Sequence, residues 1–153
     1  MTIQGVELKE LTRHTDERGF FCEIIRETDP FFKAGFGQWS YSKMVSGVIK
    51  AWHIHGFQWD WWFVPFGIVK AVLYDLREES PTYKTLSEYL LGDDQKSVVL
   101  SIPPGVAHGL KVVQGPAYLF YVTSEVYNPD DEGRLLFDDP VIGYDWLKGA
   151  EIK

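Results

Sequence analysis

Four side chains of this sequence have the types and spacing of one reaction site: His53, His55, Asp60 and His108. The first two flank Ile54 at the end of an apolar run. In a strand, side chains repeat every two residues, so positions 53 and 55 share a face. Asp60 opens the next apolar segment. His108 follows Pro103-Pro104-Gly105-Val106-Ala107, a turn leading into another strand candidate. Imidazoles and carboxylates inside a fold require partners. Gathered together, His53, His55, Asp60 and His108 form a donor set for a divalent transition metal such as Fe, Mn, Ni or Zn. The same groups serve as hydrogen-bonded interior polar groups or as acid-base residues. Residue types alone leave the three readings open. His14, among Arg13, Asp16, Glu17 and Arg18, reads as a loop residue.

The elements that must position these groups are strands. Candidates fall at 19–25, 38–42, 47–55, 59–64, 67–76, 98–102 and 117–123, and a long helical pattern is hard to find. Residues 67–76, rich in Val, Ile and Leu, read as a strand covered on most of its length. Punctuation comes from Pro65-Phe66-Gly67, Ser80-Pro81-Thr82, Gly92-Asp93-Asp94, Pro103-Pro104-Gly105, Gln114-Gly115-Pro116 and Asn128-Pro129. Many strands at near-regular spacing predict an antiparallel sandwich or barrel. Residues after Trp146 are expected to form a short helix or to be loose.

The 153 residues predict one domain spanning 1–153, with 45% hydrophobic and 16% aromatic residues for its core. A net charge of −7 disfavours nucleic acid and anionic membranes, though a local basic pocket for phosphate stays compatible with it. The lone Cys22 rules out an internal disulfide framework and fits a reducing compartment. The first residues lack a secretory pattern, and apolar runs fall short of bilayer length, so a cytoplasmic location is expected.

Two resemblances sharpen this reading. Gly47, five residues, His53, one residue, His55, four residues, Asp60, six residues, Gly67 resembles the first cupin motif, with Asp60 where Glu is usual. Pro103-x-Gly105-x-x-His108 resembles the second, with Val112 where its later Asn stands. The implied fold is all-β, a double-stranded β-helix (cupin or jelly-roll barrel) with minor short helices. From about Asp16 to Trp146 the chain also resembles the deoxysugar 3,5-epimerase family. The match rests on Asp16-Glu17-Arg18-Gly19-Phe20-Phe21-Cys22-Glu23, Gln38-Trp39-Ser40-Tyr41-Ser42, Gly47-Val48-Ile49-Lys50-Ala51-Trp52-His53, Asp75-Leu76-Arg77 and Ser80-Pro81-Thr82. It continues through Pro103-Pro104-Gly105-Val106-Ala107-His108-Gly109, Tyr121, Tyr127-Asn128-Pro129, Glu132, and Asp138-Asp139-Pro140.

This resemblance implies that His53 is the base and Tyr121 the acid of a proton transfer beside a sugar ketone, with Lys50 holding negative charge. It implies that Arg18, Gln38, Ser40, His108 and Tyr127 hold a nucleotide-diphosphate sugar. It further implies a homodimer with exchanged N-terminal strands, a place in deoxysugar, polysaccharide or lipopolysaccharide biosynthesis, and no required cofactor. The sequence departs from the family at three points. Lys50 replaces an arginine and loses its bidentate fork. Asp60 stands where a lysine helps hold the enolate, reversing the charge. Residues 147–153 offer no aspartate to pair with the base, and one alternative is that Asp60 orients His53 in its place. A divalent metal would restore the lost positive charge. The rival readings are a metal-dependent cupin of different chemistry and a non-catalytic nucleotide-sugar-binding relative. Trp59, Trp61, Trp62 and Phe63 either line a cavity or form core and dimer interface. Lys50 and His53, an odd number of positions apart, share a face only across a bulge or twist.

Overall fold

In the computed structural model, which describes residues 1–93 and 95–148, ten strands follow one another. They are β1 (Glu7–Glu10), β2 (His14–Asp16), β3 (Gly19–Phe21), β4 (Gln38–Met44), β5 (Ile49–His55), β6 (Asp60–Asp75), β7 (Leu86–Gly92), β8 (Val98–Ile102), β9 (Val106–Thr123) and β10 (Glu132–Arg134). Among the described residues there is no helix, which corrects the expected minor short helices. After Pro140 the chain instead runs as turns that lay Ile142 and Trp146 on the barrel. The expected short helix or loose end after Trp146 falls largely on residues 149–153, outside the described residues.

β6 and β9 are the frame. They run antiparallel along most of their length and serve both halves of one folded-over sheet. In the first half, residues 60–63 of β6 and 120–123 of β9 continue into β8, β1 and β4. In the second, residues 68–75 of β6 and 106–114 of β9 continue into β7, β5 and β10. The result is an antiparallel double-stranded β-helix.

The punctuation at Pro65-Phe66-Gly67 and Gln114-Gly115-Pro116 predicts a break in each of the two long strands. The structure shows bends instead. Pairing slips between Phe63 and Phe66 and again on either side of Ile68. Pro65 sits in that slip, where its missing N–H costs no ladder bond. Gly67 has φ +77°, and a Cβ on it would lie 2.7 Å from the Gln114 carbonyl oxygen. Glycine is therefore required where β6 crosses close to β9. The expected strand at 19–25 shrinks to β3, which pairs with β2 as a separate hairpin, so His14 is an exposed strand residue rather than a loop residue.

Alternation sorts the core. Val69, Ala71, Leu73, Leu100, Leu110 and Leu119 fill the barrel interior. On the outside of the second half, Trp52, Val72 and Ala107 are covered by Ile142 and Trp146. On the outside of the first, Trp61 and Val99 are covered by Phe31 and its neighbours. β6 is thus buried on both faces from Val69 to Asp75, and each fully buried aliphatic chain contributes about 1.5–3 kcal/mol.

β6 ends in a polar knot. Asp75, fully buried, accepts hydrogen bonds from the Arg77 backbone N–H (3.0 Å) and guanidinium (2.9 Å), and from the hydroxyls of Ser80 and Thr82 (2.7 Å each). Burial alone would raise its pKa, but the bonds from Arg77, Thr82 and Ser80 outweigh it and hold the carboxyl well below the usual carboxylate range. Asp75→Asn is expected to destabilise the protein by about 2–4 kcal/mol in urea unfolding at neutral pH. A depressed carboxylate stabilises above its unfolded pKa and loses that contribution as pH falls toward the folded value. The gap between wild type and variant should therefore narrow by about 1 kcal/mol between pH 5 and pH 3. A gap independent of pH would remove Asp75 as its source.

Candidate active site

A cavity of about 320 Å³ opens between the two halves of the barrel. β5 contributes Lys50, His53 and His55; the first half of β9 contributes His108. The facing half contributes Gln38 and Ser42 from β4, Asp60 and Trp62 from β6, and Tyr121 and Thr123 from β9. Tyr127, Asn128, Glu132 and Arg134 complete the lining. A larger groove of about 1060 Å³ runs along β7, but it holds no histidine, and its buried Lys70 already lies against Glu88 and the Tyr144 ring.

The odd spacing of Lys50 and His53 is resolved by a bulge. Lys50 pairs with Leu110 and His53 with His108, so β5 spends one more residue than β9 over this interval. The extra residue restores a common face. Gly109 admits it: a Cβ there would lie 2.6 Å from that of Ala51.

His53 has a partner that the sequence reading did not assign. Its Nδ1 lies 2.7 Å from Glu132 Oε1. β10 pairs with β5, setting Glu132 opposite His55 and Arg134 opposite His53. Arg134 donates to both Glu132 oxygens at 3.3 and 3.4 Å. Burial would raise the Glu132 pKa, but the hydrogen bond from His53 and the positive charge of Arg134 keep it below the ordinary value. An ionised Glu132 accepts the Nδ1 proton and leaves Nε2 with the lone pair, the tautomer a general base needs. Glu132, rather than Asp60 or a C-terminal aspartate, thus orients His53.

Asp60 is engaged elsewhere. Its Oδ1 accepts from Gln58 Nε2 (2.8 Å) and its Oδ2 from Trp62 Nε1 (3.2 Å). His108 donates Nδ1–H to the Val106 carbonyl at 3.0 Å, and its Nε2 lies 3.8 Å from Asp60 Oδ2. Burial holds the His108 pKa well below the usual histidine value despite the opposing pull of Asp60, so the ring is neutral. Donor atoms of His55, Asp60 and His108 all lie within 4.8 Å of one another; His53 is outside that group.

The remaining sequence candidates divide. Tyr121 pairs with Ser40 and Trp62 in the half of the barrel opposite His53. Gln38 donates to Ser40 Oγ at 3.0 Å and accepts the Tyr127 backbone N–H at 3.0 Å, tying β4 to the cavity mouth. Arg18 lies on the exposed β2–β3 turn, ion-paired with Asp16 and outside this cavity. The aromatic cluster is split by strand parity: Trp62 lines the cavity, whereas Trp59, Trp61 and Phe63 pack on the outer face. Gln58, Thr123, Asn128 and Arg134 were not anticipated. For Arg134 and Glu132 a signal existed, since Glu-Gly-Arg puts two opposite charges on one face of any strand it forms.

A double-stranded β-helix with a carboxylate-oriented histidine and a tyrosine on opposite walls of one polar cavity is the frame of a proton-transfer protein. The chain belongs to the dTDP-4-dehydrorhamnose 3,5-epimerase family, whose model matches residues 1–153. It is 46% identical over 147 residues to the spore coat polysaccharide biosynthesis protein SpsL of Bacillus subtilis, covering 94% of this chain and 96% of SpsL. A dTDP sugar isomerase of Desulfovibrio desulfuricans superposes with a TM-score of 0.89 at 30% identity, over 96% of this chain and 94% of its own. The dTDP-6-deoxy-D-glucose-3,5-epimerase RmlC of Legionella pneumophila, solved with dTDP-4-keto-L-rhamnose, gives 0.87 at 27% identity, over 100% and 84%.

Proposed function

We propose that this protein is an epimerase of nucleotide-linked 4-keto-6-deoxyhexoses that supplies a deoxysugar for polysaccharide synthesis. The observation that carries the proposal is the 2.7 Å bond between His53 and Glu132 inside a cavity whose facing wall holds Tyr121. His53 Nε2 takes the proton from the carbon beside the ketone. The C–H electrons move into the carbonyl and form an enolate. The Tyr121 hydroxyl returns a proton to the same carbon from the other face, inverting it. The chemistry is proton transfer throughout and needs no cofactor. Lys50 is the cation placed to hold the enolate, since Asp60 cannot. His108, neutral, donates only through Nδ1, which Val106 occupies, so its Nε2 serves as an acceptor for a substrate hydroxyl. Gln38, Ser40 and Tyr127 position the sugar and nucleotide at the mouth.

Arg18 lies outside its own chain's cavity, which fits a homodimer in which the β2–β3 hairpin reaches the partner's site and binds diphosphate. Among the described residues, no helix is long and apolar enough to cross a membrane, and a cytoplasmic location matches the substrate class. The test is incubation with a panel of nucleotide 4-keto-6-deoxy sugars in D₂O. Deuterium is expected next to the ketone, at C3, C5 or both, by proton NMR and mass spectrometry. No exchange across the panel overturns the proposal. Binding by calorimetry without exchange would establish instead a sugar-binding relative, the reading that the charge reversal at Asp60 favours.

A further inference from the structure

We infer that Arg134 is a positioning residue with two alternative partners: Glu132 in the free protein, and the diphosphate of a bound nucleotide sugar. The ligand rests on the epimerase reading, whereas the role goes beyond it, since the family resemblance assigns Arg134 none. Arg134 stands opposite His53 on the β10–β5 ladder. Its neighbour Leu135 exchanges backbone hydrogen bonds with Trp52 in both directions, at 2.9 and 3.1 Å. The main chain is fixed there, so the guanidinium moves by side-chain rotation alone.

Glu132 holds its two partners unequally. It lies 2.7 Å from His53 Nδ1, whereas Arg134 reaches it only at 3.3 and 3.4 Å. Charge-assisted N–H···O bonds normally close to about 2.7–2.9 Å. The Glu132 side chain is 12% exposed and that of Arg134 69%. An ion pair with one member so far in water contributes little, so releasing Arg134 costs little. Among the described residues the Arg134 Nη1 makes no hydrogen bond. The charge of the ligand supplies the second partner. Histidines apart, the charged side chains lining the cavity are Lys50, Arg134, Asp60 and Glu132, whose charges cancel. A diphosphate adds negative charge that something must meet. Asp60 is bonded by the neutral Gln58 and Trp62, and Lys50 is the cation for the enolate. Arg134 is the cation that remains, and its planar fork matches two phosphate oxygens at once. When it turns to the phosphate, Glu132 is left to His53 alone. The carboxylate then supports the imidazolium undivided at the moment His53 takes the proton.

The test is calorimetric titration with dTDP, without any sugar substrate. Arg134→Gln should weaken binding roughly 10- to 100-fold, the range of a lost charge-assisted contact. Arg134→Lys, which keeps the charge without the fork, should recover part of that loss. Glu132→Gln should do the opposite and tighten binding roughly 2- to 5-fold, because Arg134 no longer has a carboxylate to leave. That tightening should vanish when Arg134→Gln is already present, whereas simple removal of a negative charge from the cavity would tighten binding in both backgrounds. Arg134 is exposed and its variants should melt as wild type does; a merely structural ion pair would lower melting temperature in both single variants without opposite effects on dTDP. Unchanged affinity in Arg134→Gln, no tightening in Glu132→Gln, or tightening that persists in the double variant overturns the inference. So does failure of the wild type to bind dTDP, UDP or GDP. Binding is read without turnover, so these outcomes are distinct from failure of the epimerase proposal, which deuterium exchange decides.

Discussion

His53→Asn is expected to lower solvent-deuterium incorporation into a bound 4-keto sugar by about 10³-fold, the range typical of a lost general base, while nucleotide binding by calorimetry stays within a few-fold. Asn keeps a polar group of similar size at the Nδ1 side, so the cavity is retained while the basic nitrogen is lost. Glu132 is a positioning residue, and Glu132→Gln should cost less, about 10-fold to 100-fold. Its amide can still contact the ring but no longer stabilises the imidazolium that forms when His53 takes the proton. A purely structural role for Glu132 would lower exchange and melting temperature together. The positioning role requires the rising limb of the pH profile of exchange to shift to lower pH in Glu132→Gln, because the imidazolium formed on His53 has lost the carboxylate that stabilises it. If instead the pH profile is unmoved and His53→Asn exchanges at the wild-type rate, the base lies elsewhere.

The pairing of His53 with His55 on one face was legible because it needs only the two-residue period of a strand. Their approach to His108 was legible from the Pro-Gly turn that precedes it. What lay beyond the sequence depended on other strands. The Lys50–His53 bulge exists because Gly109, on β9, leaves room for Ala51. β10 is three residues of Glu-Gly-Arg with no apolar pattern, so Glu132 became a partner only through pairing with β5. The long strands were split because Pro and Gly mark bends as readily as turns, and only the β6·β9 ladder distinguishes them. β7 and β1 were missed for a similar reason: Leu86–Gly92 and Glu7–Glu10 are half-polar edge segments that acquire strand form from β6 and β8.

The block Asp75-Leu76-Arg77 with Ser80-Pro81-Thr82 is a useful contrast. Its residue types suggested substrate chemistry no more than structure, and the resemblance carried it without a role. The fold gives it one: the Arg77 N–H and guanidinium and the hydroxyls of Ser80 and Thr82 converge on a buried carboxylate and fix the end of β6. Arg77 also donates to the Gln4 carbonyl at 2.6 Å, tying the first residues to that knot. Deletion of this network acts on stability, deletion of Glu132 on reaction rate, and both are carboxylates held low by neighbours. Perturbed carboxylates therefore separate into structural and functional ones by what they face: Asp75 faces only its own turn, Glu132 faces the cavity histidine.

Tyr121→Phe should uncouple exchange from inversion. The ring sits partly buried against the inner core, so phenylalanine preserves its packing and removes one hydroxyl. His53 and Glu132 are untouched, and enolate formation continues. The enolate, however, has lost the donor on the wall opposite the base. It is reprotonated mainly by His53 from the face that lost the proton, which restores the starting configuration with solvent deuterium in place. Inverted product is expected to fall by about 10²- to 10⁴-fold, while deuterium in recovered substrate falls by less than about 10-fold, so the ratio of exchange to inversion rises by more than about 10-fold. Stereochemical analysis of the sugar after quenching in D₂O reads both quantities in one sample. Equal loss of both would mean that the hydroxyl helps form the enolate rather than collapse it. Inversion at the wild-type rate would assign the second proton to another donor on the same wall: Ser40, paired directly with Tyr121, or the cavity-lining Thr123 and Ser42.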